Sequence, residues 1–405
     1  MKPGKRTLNA PISMLTFRGL TIYPAEVMLC LSLVAVFFPV KIYPLVFLAS
    51  TVVFFFDTSF FEIKRWVIFL FIFSLYATIS FLIVYDGEML LFHNILKLLI
   101  NFSFLYFAIS WLSQRENTRL LQMVDYTLHF IFILVAIQLL VYHQATEYKL
   151  LSGSTSSGQA SQLYVKNVFF WGLNDKNMLG ARIAMIGFPF ILLSAIRSYK
   201  ISMYRIVLIF VIAYLSLSRT PIIALLIGCG FLIWISSNKW AKIGMLVALL
   251  LISPFLLDKI IRADQLMSSN DGMGIRLVYW KAFFQYFTAI PIWGYGFLKD
   301  SEFLSKYADF YRGEHHIHNV FFTNYLQMGL VGLLSYVLFL VYFVRDCVKE
   351  VSNYQFWILA FLPLLSIMII LYSGYDNDIV LYLILIFLLG TQRQIQFKSL
   401  KTSIL

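Results

Sequence analysis

The sequence has few charged residues, few cysteines and no linker, and each shortage excludes a class of protein. Only 13% of its 405 residues are charged, about half of the share that soluble globular domains carry. Three cysteines are too few for a disulfide-stapled secreted scaffold. No stretch rich in Gly, Ser and Pro divides the chain. Apolar residues make up 60% of it and include 40 Phe, which excludes a disordered chain and leaves an integral membrane protein.

Twelve apolar stretches predict membrane-spanning helices, because a helix needs about 20 mostly apolar residues to cross a bilayer. Their approximate ranges are 22–40, 43–56, 66–85, 90–112, 126–142, 178–196, 201–217, 221–236, 241–257, 320–344, 355–373 and 377–390. The second and the last are short for a span, and no internal repeat is evident. We therefore predict an all-α polytopic membrane protein with about 12 transmembrane helices, in which residues 1–405 form a single integral-membrane domain.

The positions of the basic residues predict the orientation of these helices. If the N-terminus is cytoplasmic, 18 of the 32 Lys and Arg residues fall in cytoplasmic segments and 12 in outer segments. The remaining two are Lys97 and Arg182, which fall inside spans. Because Lys and Arg are enriched in cytoplasmic loops, both termini are predicted to be cytoplasmic. The net charge of +12 is then mostly a topology signal, and we expect no binding to nucleic acid.

Two outer segments are too long and too polar to be simple connections between helices. Residues 143–177 would form a smaller loop, and residues 258–319 a large loop between helices 9 and 10. The large loop carries seven basic and seven acidic residues, so it is no polybasic arm. Because loops on a rigid scaffold often carry function, we expect site residues in the large loop.

Arg219 is the first candidate in these outer segments. It lies at the outer end of the seventh span and precedes Pro221, which suits the first turn of the next helix. An Arg on the outer side runs against the usual charge bias. Its side chain would either snorkel to the membrane interface or bind an anion such as phosphate, for which its planar fork of donors is suited.

The large loop contributes a basic residue and several aromatic ones. Arg276 and Trp280 are four residues apart, so they would share one face of a helix. Residues 291–296 (PIWGYG) follow, with Tyr295 between two glycines that permit close backbone approach. The aromatic rings would suit sugar binding. The alternative is a structured turn whose aromatic side chains dip into the membrane interface.

Three histidines, His315, His316 and His318, come directly before Asn319 and the tenth span. We expect no metal here, because no Cys is near and a closed structural zinc site needs four good ligands. A His at a membrane surface is suited to act as a general base, since its unperturbed pKa lies near 6.5. The alternative is a surface His without a catalytic role.

Two further spans carry notable residues. Lys176 and Asn177 open the sixth span, and Arg182 lies about one turn inside it. An Arg within the membrane is a functional candidate, facing the interior of the bundle or water. Gly329 and Gly332 in the tenth span predict close packing of helices rather than chemistry.

Several of these stretches together resemble the O-antigen ligase and O-antigen polymerase superfamily. They are GLNDKNMLG (172–180), SLSRTPIIAL (216–225), GIRLVYWKAF (274–283), PIWGYGF (291–297) and HHIHNVFFTNYLQMGLVGLLS (315–335). The resemblance covers about residues 170–340, while the first five spans show only generic hydrophobicity.

The resemblance implies a bacterial inner-membrane glycosyltransferase whose active site, with both outer loops, faces the periplasm. Its donor would be a glycan on undecaprenyl diphosphate, transferred with inversion of the anomeric centre and without a metal or other cofactor. Ligases place this glycan on lipid A–core, whereas polymerases place it on another lipid-linked repeat. Further partners would be membrane lipid and a chain-length regulator.

The resemblance also assigns roles to individual residues. Arg219 and Arg276 would bind the diphosphate, and His318, directly before Asn319, would be catalytic together with Arg276. His315 and His316 have no firm family counterpart. Further candidates for substrate binding are Lys176, Asn177, Arg182, Trp280, Tyr295, His316 and Asn319.

The function within this superfamily has alternatives. The KN-x-LG and P-x-W-G-Y-G stretches look more like those of the polymerases, so we expect polymerisation of O-antigen or capsule-type repeat units, with ligation as the alternative. A flippase or other transporter of lipid-linked glycans is a further alternative, since twelve spans suit that class. Transporters, however, usually bind substrate near the bilayer midplane, often between repeated halves, whereas these candidates cluster at the outer surface. No residue argues specifically for a non-catalytic partner of a glycan assembly complex.

Overall fold

The structure of the protein is a computed structural model. It describes residues 15–17, 20–38, 41–115, 117–145, 147–149, 151, 176–198, 200–255, 272–348, 354–371, 373–391 and 401–403. Most of the smaller predicted loop and the first residues of the large one, 258–271, lie outside the described residues.

Each of the twelve predicted spans lies on an α-helix. The helices are α1 Pro24–Ala35, α2 Tyr43–Asp57, α3 Arg65–Val84, α4 Met89–Leu112, α5 Thr118–Ala145, α6 Lys176–Ser198, α7 Met203–Leu215, α8 Thr220–Ser236, α9 Lys239–Phe255, α10 Gly272–Gln285, α11 Asp300–Tyr307, α12 Val320–Val348, α13 Tyr354–Met368 and α14 Asn377–Gly390. Helices α10 and α11 belong to the large loop. The short strands β1 Leu15–Phe17 and β2 Leu20–Ile22 pair antiparallel, and β3 Lys200–Ser202 and β4 Lys401–Ser403 pair parallel.

Five of the described helices are long and apolar enough to cross a membrane: α3, α4, α5, α6 and α12. This confirms the prediction of an all-α membrane protein. The other apolar helices are shorter, from 12 residues in α1 to 17 residues in α8. The number of crossings and the side on which the large loop lies therefore stay predictions.

Helix α5 begins at Thr118 rather than at residue 126, where the predicted span starts. The apolar run stops at Asp125, which interrupts the hydropathy pattern. In the structure the carboxylate of Asp125 forms ion pairs with Arg197 at 2.7 Å and Arg205 at 2.8 Å. Because these pairs compensate the charge, the helix continues through it.

Helices α6 and α14 lie at the centre of the bundle. Every residue of α14 is buried, and an 18-residue stretch of α6 is buried throughout. After its first turn α14 is apolar all round, as a helix surrounded on every side must be. Helix α14 packs against α4 and α6, and α6 packs against α7 and α8. The first turns of α6 and α14 thus lie in the middle of one end of the bundle.

Polar contacts define two opposite ends of the bundle. At what we call the loop end, contacts join α6 to the residue after α1, α4 to the residue before α14, and the large loop to the residues after α3: Arg182–Val36, Lys97–Asp376 and Lys299–Asp86. At the opposite end, ion pairs join α4 to α2, α5 to α1, and α6 to α5: Arg115–Asp57, Arg119–Glu26 and Arg197–Asp125. Consecutive helices in these pairs alternate in direction, as in a chain that crosses a membrane repeatedly.

The described part of the large loop has a small hydrophobic core of its own. Its members come from α10, the connection from α10 to α11, α11, the segment before α12 and the first turns of α12: Ile275, Tyr279, Ala282, Phe283, Ile290, Phe303, Leu304, Ile317, Tyr325 and Leu326. Stacked rings strengthen it, such as Phe283 on Phe322 with centroids 4.4 Å apart. The loop is therefore a folded unit seated on the first half of α12.

Helix α12 is broken at Gly329, whose backbone angles are φ 59° and ψ −152°. The 291–296 segment fills the break: the carbonyl of Ile292 accepts from the N–H of Leu330 at 2.9 Å, and the N–H of Gly296 donates to the carbonyl of Gln327 at 2.9 Å. The prediction that Gly329 serves close helix packing is therefore wrong. Glycine is needed at position 329 because the backbone of the large loop approaches so closely that a side chain there would overlap it.

Candidate functional site

His318 and Glu314 form a pair on the segment that leads into α12. Nε2 of His318 lies 3.3 Å from Oε2 of Glu314. Burial would raise the pKa of Glu314, but hydrogen bonds from His318 and Tyr279 and the charges of His318 and Arg312 together hold it below its usual value. The ionised carboxylate therefore accepts a hydrogen bond from Nε2. This tautomer leaves Nδ1 of His318, which is buried and has no hydrogen bond to the described residues, as the basic nitrogen.

The backbone at His318 has a left-handed conformation, with φ 55°, which is unfavourable for residues other than Gly. Asn319 follows and caps α12, because its Oδ1 accepts from the N–H groups of Phe321 at 3.0 Å and Phe322 at 3.2 Å. Asn319, a predicted substrate-binding residue, is thus engaged in holding the turn that presents His318.

His316 lies half-buried beside this pair. Burial is the main reason that its pKa is lowered to about 4. The charges of His318, Lys97 and His315 act in the same direction, and Asp376 opposes them. His316 is therefore neutral at neutral pH. These neighbours place the histidine segment next to the ion pair between α4 and the residue before α14. In the described ranges no three His, Cys, Asp or Glu side chains are grouped as a metal site requires.

Trp280 attaches α10 to the histidine segment. Its indole N–H donates to the carbonyl of Ile317, between the two histidines, at 3.2 Å. Arg276 lies one turn earlier on the same helix and is buried, with 8% of its surface exposed. Helix α10 is therefore held against the segment that carries His316 and His318 through Trp280.

Arg219 lies at the same end of the bundle, directly before α8. The hydroxyl of its neighbour Ser218 donates to Oδ1 of Asn177, in the first turn of α6, at 3.2 Å. Gly180 permits this approach, since a Cβ there would lie 2.6 Å from Cβ of Ser218. The structure therefore places the segment that carries Arg219 next to the first turn of α6, which carries Lys176 and Asn177.

The second half of the chain contains a region that is similar to a known family. Residues 204–337 match the family model for O-antigen ligase. The match includes Arg219, Arg276 and His318, and it confirms the resemblance to the O-antigen ligase and polymerase superfamily. No curated protein is significantly similar to the chain. The described helices and this match together indicate a membrane protein with a region similar to O-antigen ligases.

Arg182 lies outside the O-antigen ligase match and is already paired. Its Nε lies 2.7 Å from Oδ1 of Asp378 in a fully buried ion pair, and its Nη1 donates to the carbonyl of Val36. Two residues before Asp378, Asp376 forms an ion pair with Lys97 of α4. Sequence reasoning missed both carboxylates. The signal was present, because two cations in predicted spans need counter-charges and two Asp residues open the last span.

Tyr295, another predicted binding residue, is held within the large loop. Its hydroxyl donates to the carbonyl of Ala289 at 3.4 Å, and its ring packs against Phe303 with centroids 5.8 Å apart. The two flanking glycines do what the sequence predicted, since Gly294 and Gly296 allow backbone contact with α12 and α3. Tyr295 therefore supports the loop core in this structure.

The loop end thus holds two groups of candidate residues. One contains His318, Glu314 and the α10 helix with Arg276, and the other contains Arg219 and Asn177. Helix α6 belongs to the second group through Asn177 in its first turn, and farther along its Arg182 pairs with the start of α14. Glu314 was also missed from sequence, although its position four residues before His318 was a usable signal.

Proposed function

We propose that the protein is a metal-independent, inverting glycosyltransferase that takes a glycan from undecaprenyl diphosphate and polymerises O-antigen or capsule-type repeat units. The active site would be at the loop end, facing the periplasm of a bacterial inner membrane, with both termini cytoplasmic. The observation that carries this proposal is the His318–Glu314 pair, next to the helix of Arg276. This arrangement places the proposed base His318 and the cation Arg276 at the same end of the helical bundle.

In the proposed reaction the acceptor hydroxyl attacks the anomeric carbon of the donor glycan. Its proton passes to Nδ1 of His318, while Glu314 stabilises the imidazolium that forms. The bond from the anomeric carbon to the diphosphate oxygen breaks, and its electron pair leaves with undecaprenyl diphosphate. Arg276 and Arg219 would stabilise the negative charge that develops on the diphosphate. Preorganised donors aimed at the place where charge develops stabilise a transition state strongly. Lys176, Asn177, Trp280 and His316 are proposed to line the path of the sugars.

A groove between α12 and α13 supports a lipid-linked donor. It has a volume of about 550 Å³ and extends from Phe321, shortly after His318, to Arg345 near the far end of α12. Its lining is almost wholly apolar: Phe321, Val337, Leu340, Val341, Val344, Trp357, Ile358, Phe361 and Leu365. Such a groove would hold the polyprenyl tail beside the bundle while the diphosphate reaches the loop end.

Ligation is the second candidate function, favoured by the description of the matching family as O-antigen ligase. The acceptor would then be lipid A–core in place of a lipid-linked repeat. A gel of surface glycan from a deletion strain distinguishes the two. Loss of a polymerase should leave core capped with a single repeat, whereas loss of a ligase should leave bare core and long polymer on the polyprenyl carrier. Unchanged lipopolysaccharide, with capsule also unchanged, would contradict both.

Arg276 offers a test of the proposed diphosphate contact. Arg276→Ala is expected to lower kcat/KM for the donor by about 10²–10³-fold, since removing one preorganised donor to a developing anion typically has this effect. Arg276→Lys should recover only part of the loss, because Lys cannot bind two oxygens at once. Transfer is measured on purified protein with lipid-linked glycan isolated from the deletion strain.

Lys281→Ala is the matched control for Arg276. Lys281 lies on the same helix and forms an exposed ion pair with Asp309, so its loss should leave transfer unchanged. Equal activity of Arg276→Ala and Lys281→Ala would contradict the proposed role of Arg276.

A further inference from the structure

The segment that fills the break in α12 lies in an uncharged part of the large loop. None of the seven basic and seven acidic residues of the loop falls between Lys281 and Lys299. Two apolar side chains of this part are nevertheless exposed, Ile292 with 61% and Trp293 with 67% of their surface. Exposed apolar surface that is contiguous indicates a contact with a partner or a membrane.

Two hydrogen bonds to α3 show how far the segment reaches along the bundle. The hydroxyl of Tyr76 donates to the carbonyl of Trp293 at 3.2 Å, and the hydroxyl of Ser80 accepts from the N–H of Phe297 at 3.0 Å. Helix α3 has 20 residues and no charge after Arg65, so it is just long enough to cross the hydrocarbon core of a bilayer. Tyr76 lies about 12 Å along the axis from its end at Val84. The contact with Trp293 is therefore at membrane depth.

An ion pair marks the level at which the polar surface begins. Lys299, shortly after this segment, pairs at 2.8 Å with Asp86, which lies just beyond the end of α3. Between Trp293 and Lys299 the chain thus rises from the level of Tyr76 to the level of Asp86. The path of the segment is that of a loop that enters the membrane and returns to the same side.

The backbone of the segment is bonded in the way that such a position requires. Irregular backbone at membrane depth is tolerated only where protein or water satisfies its polar groups. Besides the two bonds to α3 and the two bonds to α12 described above, the N–H of Tyr295 donates to the carbonyl of Leu326 at 2.7 Å. The N–H of Gly294 donates to the carbonyl of Pro291 at 2.9 Å. The backbone is therefore held by protein, while the side chains of Ile292 and Trp293 remain exposed.

We propose that residues 291–297 form a re-entrant segment, whose exposed side chains, Ile292 and Trp293, contact lipid acyl chains in the leaflet at the loop end. This face continues into exposed apolar side chains of two spanning helices, Ile83 of α3 and Leu330 of α12. Trp293 and Ile83 line one cleft of about 260 Å³, which would admit part of an acyl chain. The N–H of Leu330 is bonded to the carbonyl of Ile292, so the two lipid-facing surfaces meet at the segment.

The re-entrant segment would anchor the large loop in the membrane. The loop also carries Arg276 and the histidine segment, so the anchor would hold them at the bilayer surface, where the diphosphate of a lipid-linked substrate lies. The inference requires only that α3 and α12 cross the membrane, and it holds whichever transfer reaction the protein catalyses.

The test attaches a nitroxide spin label to Ile292→Cys and, separately, to Trp293→Cys in the full-length protein, with the natural cysteines replaced by Ala. The hydrogen bonds of the segment use backbone atoms of these residues, so both variants keep them. The protein is reconstituted in phosphatidylcholine liposomes, and power saturation measures collisions of the label with oxygen and with a water-soluble nickel chelate. Ile83→Cys on α3 is the control in lipid, and Ser305→Cys, exposed on α11 of the same loop, is the control in water.

Labels at positions 292 and 293 are expected to match the label at position 83, with frequent collisions with oxygen and few with the chelate. Collisions with the chelate as frequent as at position 305 would overturn the inference, because the segment would then lie in water. Labels protected from both reagents would also overturn it, since protein, such as a second copy of the chain, would cover this face. The measurement involves no glycan, so failure of the proposed function would leave its result unaffected.

Discussion

Replacing His318 by Ala is expected to slow glycan transfer by about 10²–10⁴-fold, because the acceptor hydroxyl loses its general base. The loss should appear in kcat, with KM for the donor little changed, since the proton moves only as the transition state forms. Glu314→Gln should also slow transfer, because a neutral amide no longer fixes the imidazole tautomer that leaves Nδ1 basic. Initial rates of the purified variants on isolated lipid-linked glycan provide the measurement.

The neighbouring His315 supplies a control in the same segment. Its side chain is exposed, and it has no part in the proposed reaction, so His315→Ala should transfer glycan at the natural rate. If His315→Ala were as slow as His318→Ala, the loss would reflect damage to the segment and not removal of a base. Full activity of His318→Ala would rule out His318 as the base.

Replacing Gly329 by Ala is expected to destabilise the protein by about 3 kcal/mol or more. Gly329 has a positive φ that a side chain disfavours, which costs on the order of 1–3 kcal/mol. Its new Cβ would in addition overlap the backbone of Ile292 and Trp293. Backbone atoms cannot move aside as a flexible side chain can, so the loop would have to leave the break in α12. Thermal unfolding in detergent, followed by tryptophan fluorescence, measures the loss.

Gly230→Ala is the matched control for Gly329. Gly230 lies within α8, and a Cβ there would have no atom within 4 Å. Ala is favoured over Gly in a helix interior by about 1 kcal/mol, so this variant should be equally or more stable. If Gly329→Ala unfolded at the same temperature as Gly230→Ala, the close fit between the loop and α12 would be disproved.

The features predicted from sequence are those that depend on local pattern. Hydropathy located each described helix of the bundle, because a lipid-facing or buried helix must be apolar over its length. The four-residue spacing of Arg276 and Trp280 placed both on one face of α10. The histidine segment and Arg219 were singled out by their position and chemistry, and the family resemblance then assigned their roles. The structure places both at the loop end.

The features that were missed depend on contacts between distant parts of the chain. Lys97 pairs with Asp376 across 279 positions of sequence, and no local pattern couples them. The break at Gly329 exists because residues 291–296 supply hydrogen bonds that the helix itself gives up. From sequence, Asp300 is an ordinary polar residue at the start of a helix, whereas the folded loop buries it completely. In each case the deciding partner is supplied by the tertiary fold.

The burial of α14 has a consequence for how the protein is made. Synthesis proceeds from the N-terminus, and α14 follows the other described helices of the bundle in the chain. Until it emerges, Lys97 and Arg182 lack the carboxylates of Asp376 and Asp378, and the middle of the bundle is open. An uncompensated cation within a bilayer is costly, so α4 and α6 should not settle before α14 arrives. Insertion of one short helix would then close the bundle and complete the loop end in a single late step of biogenesis.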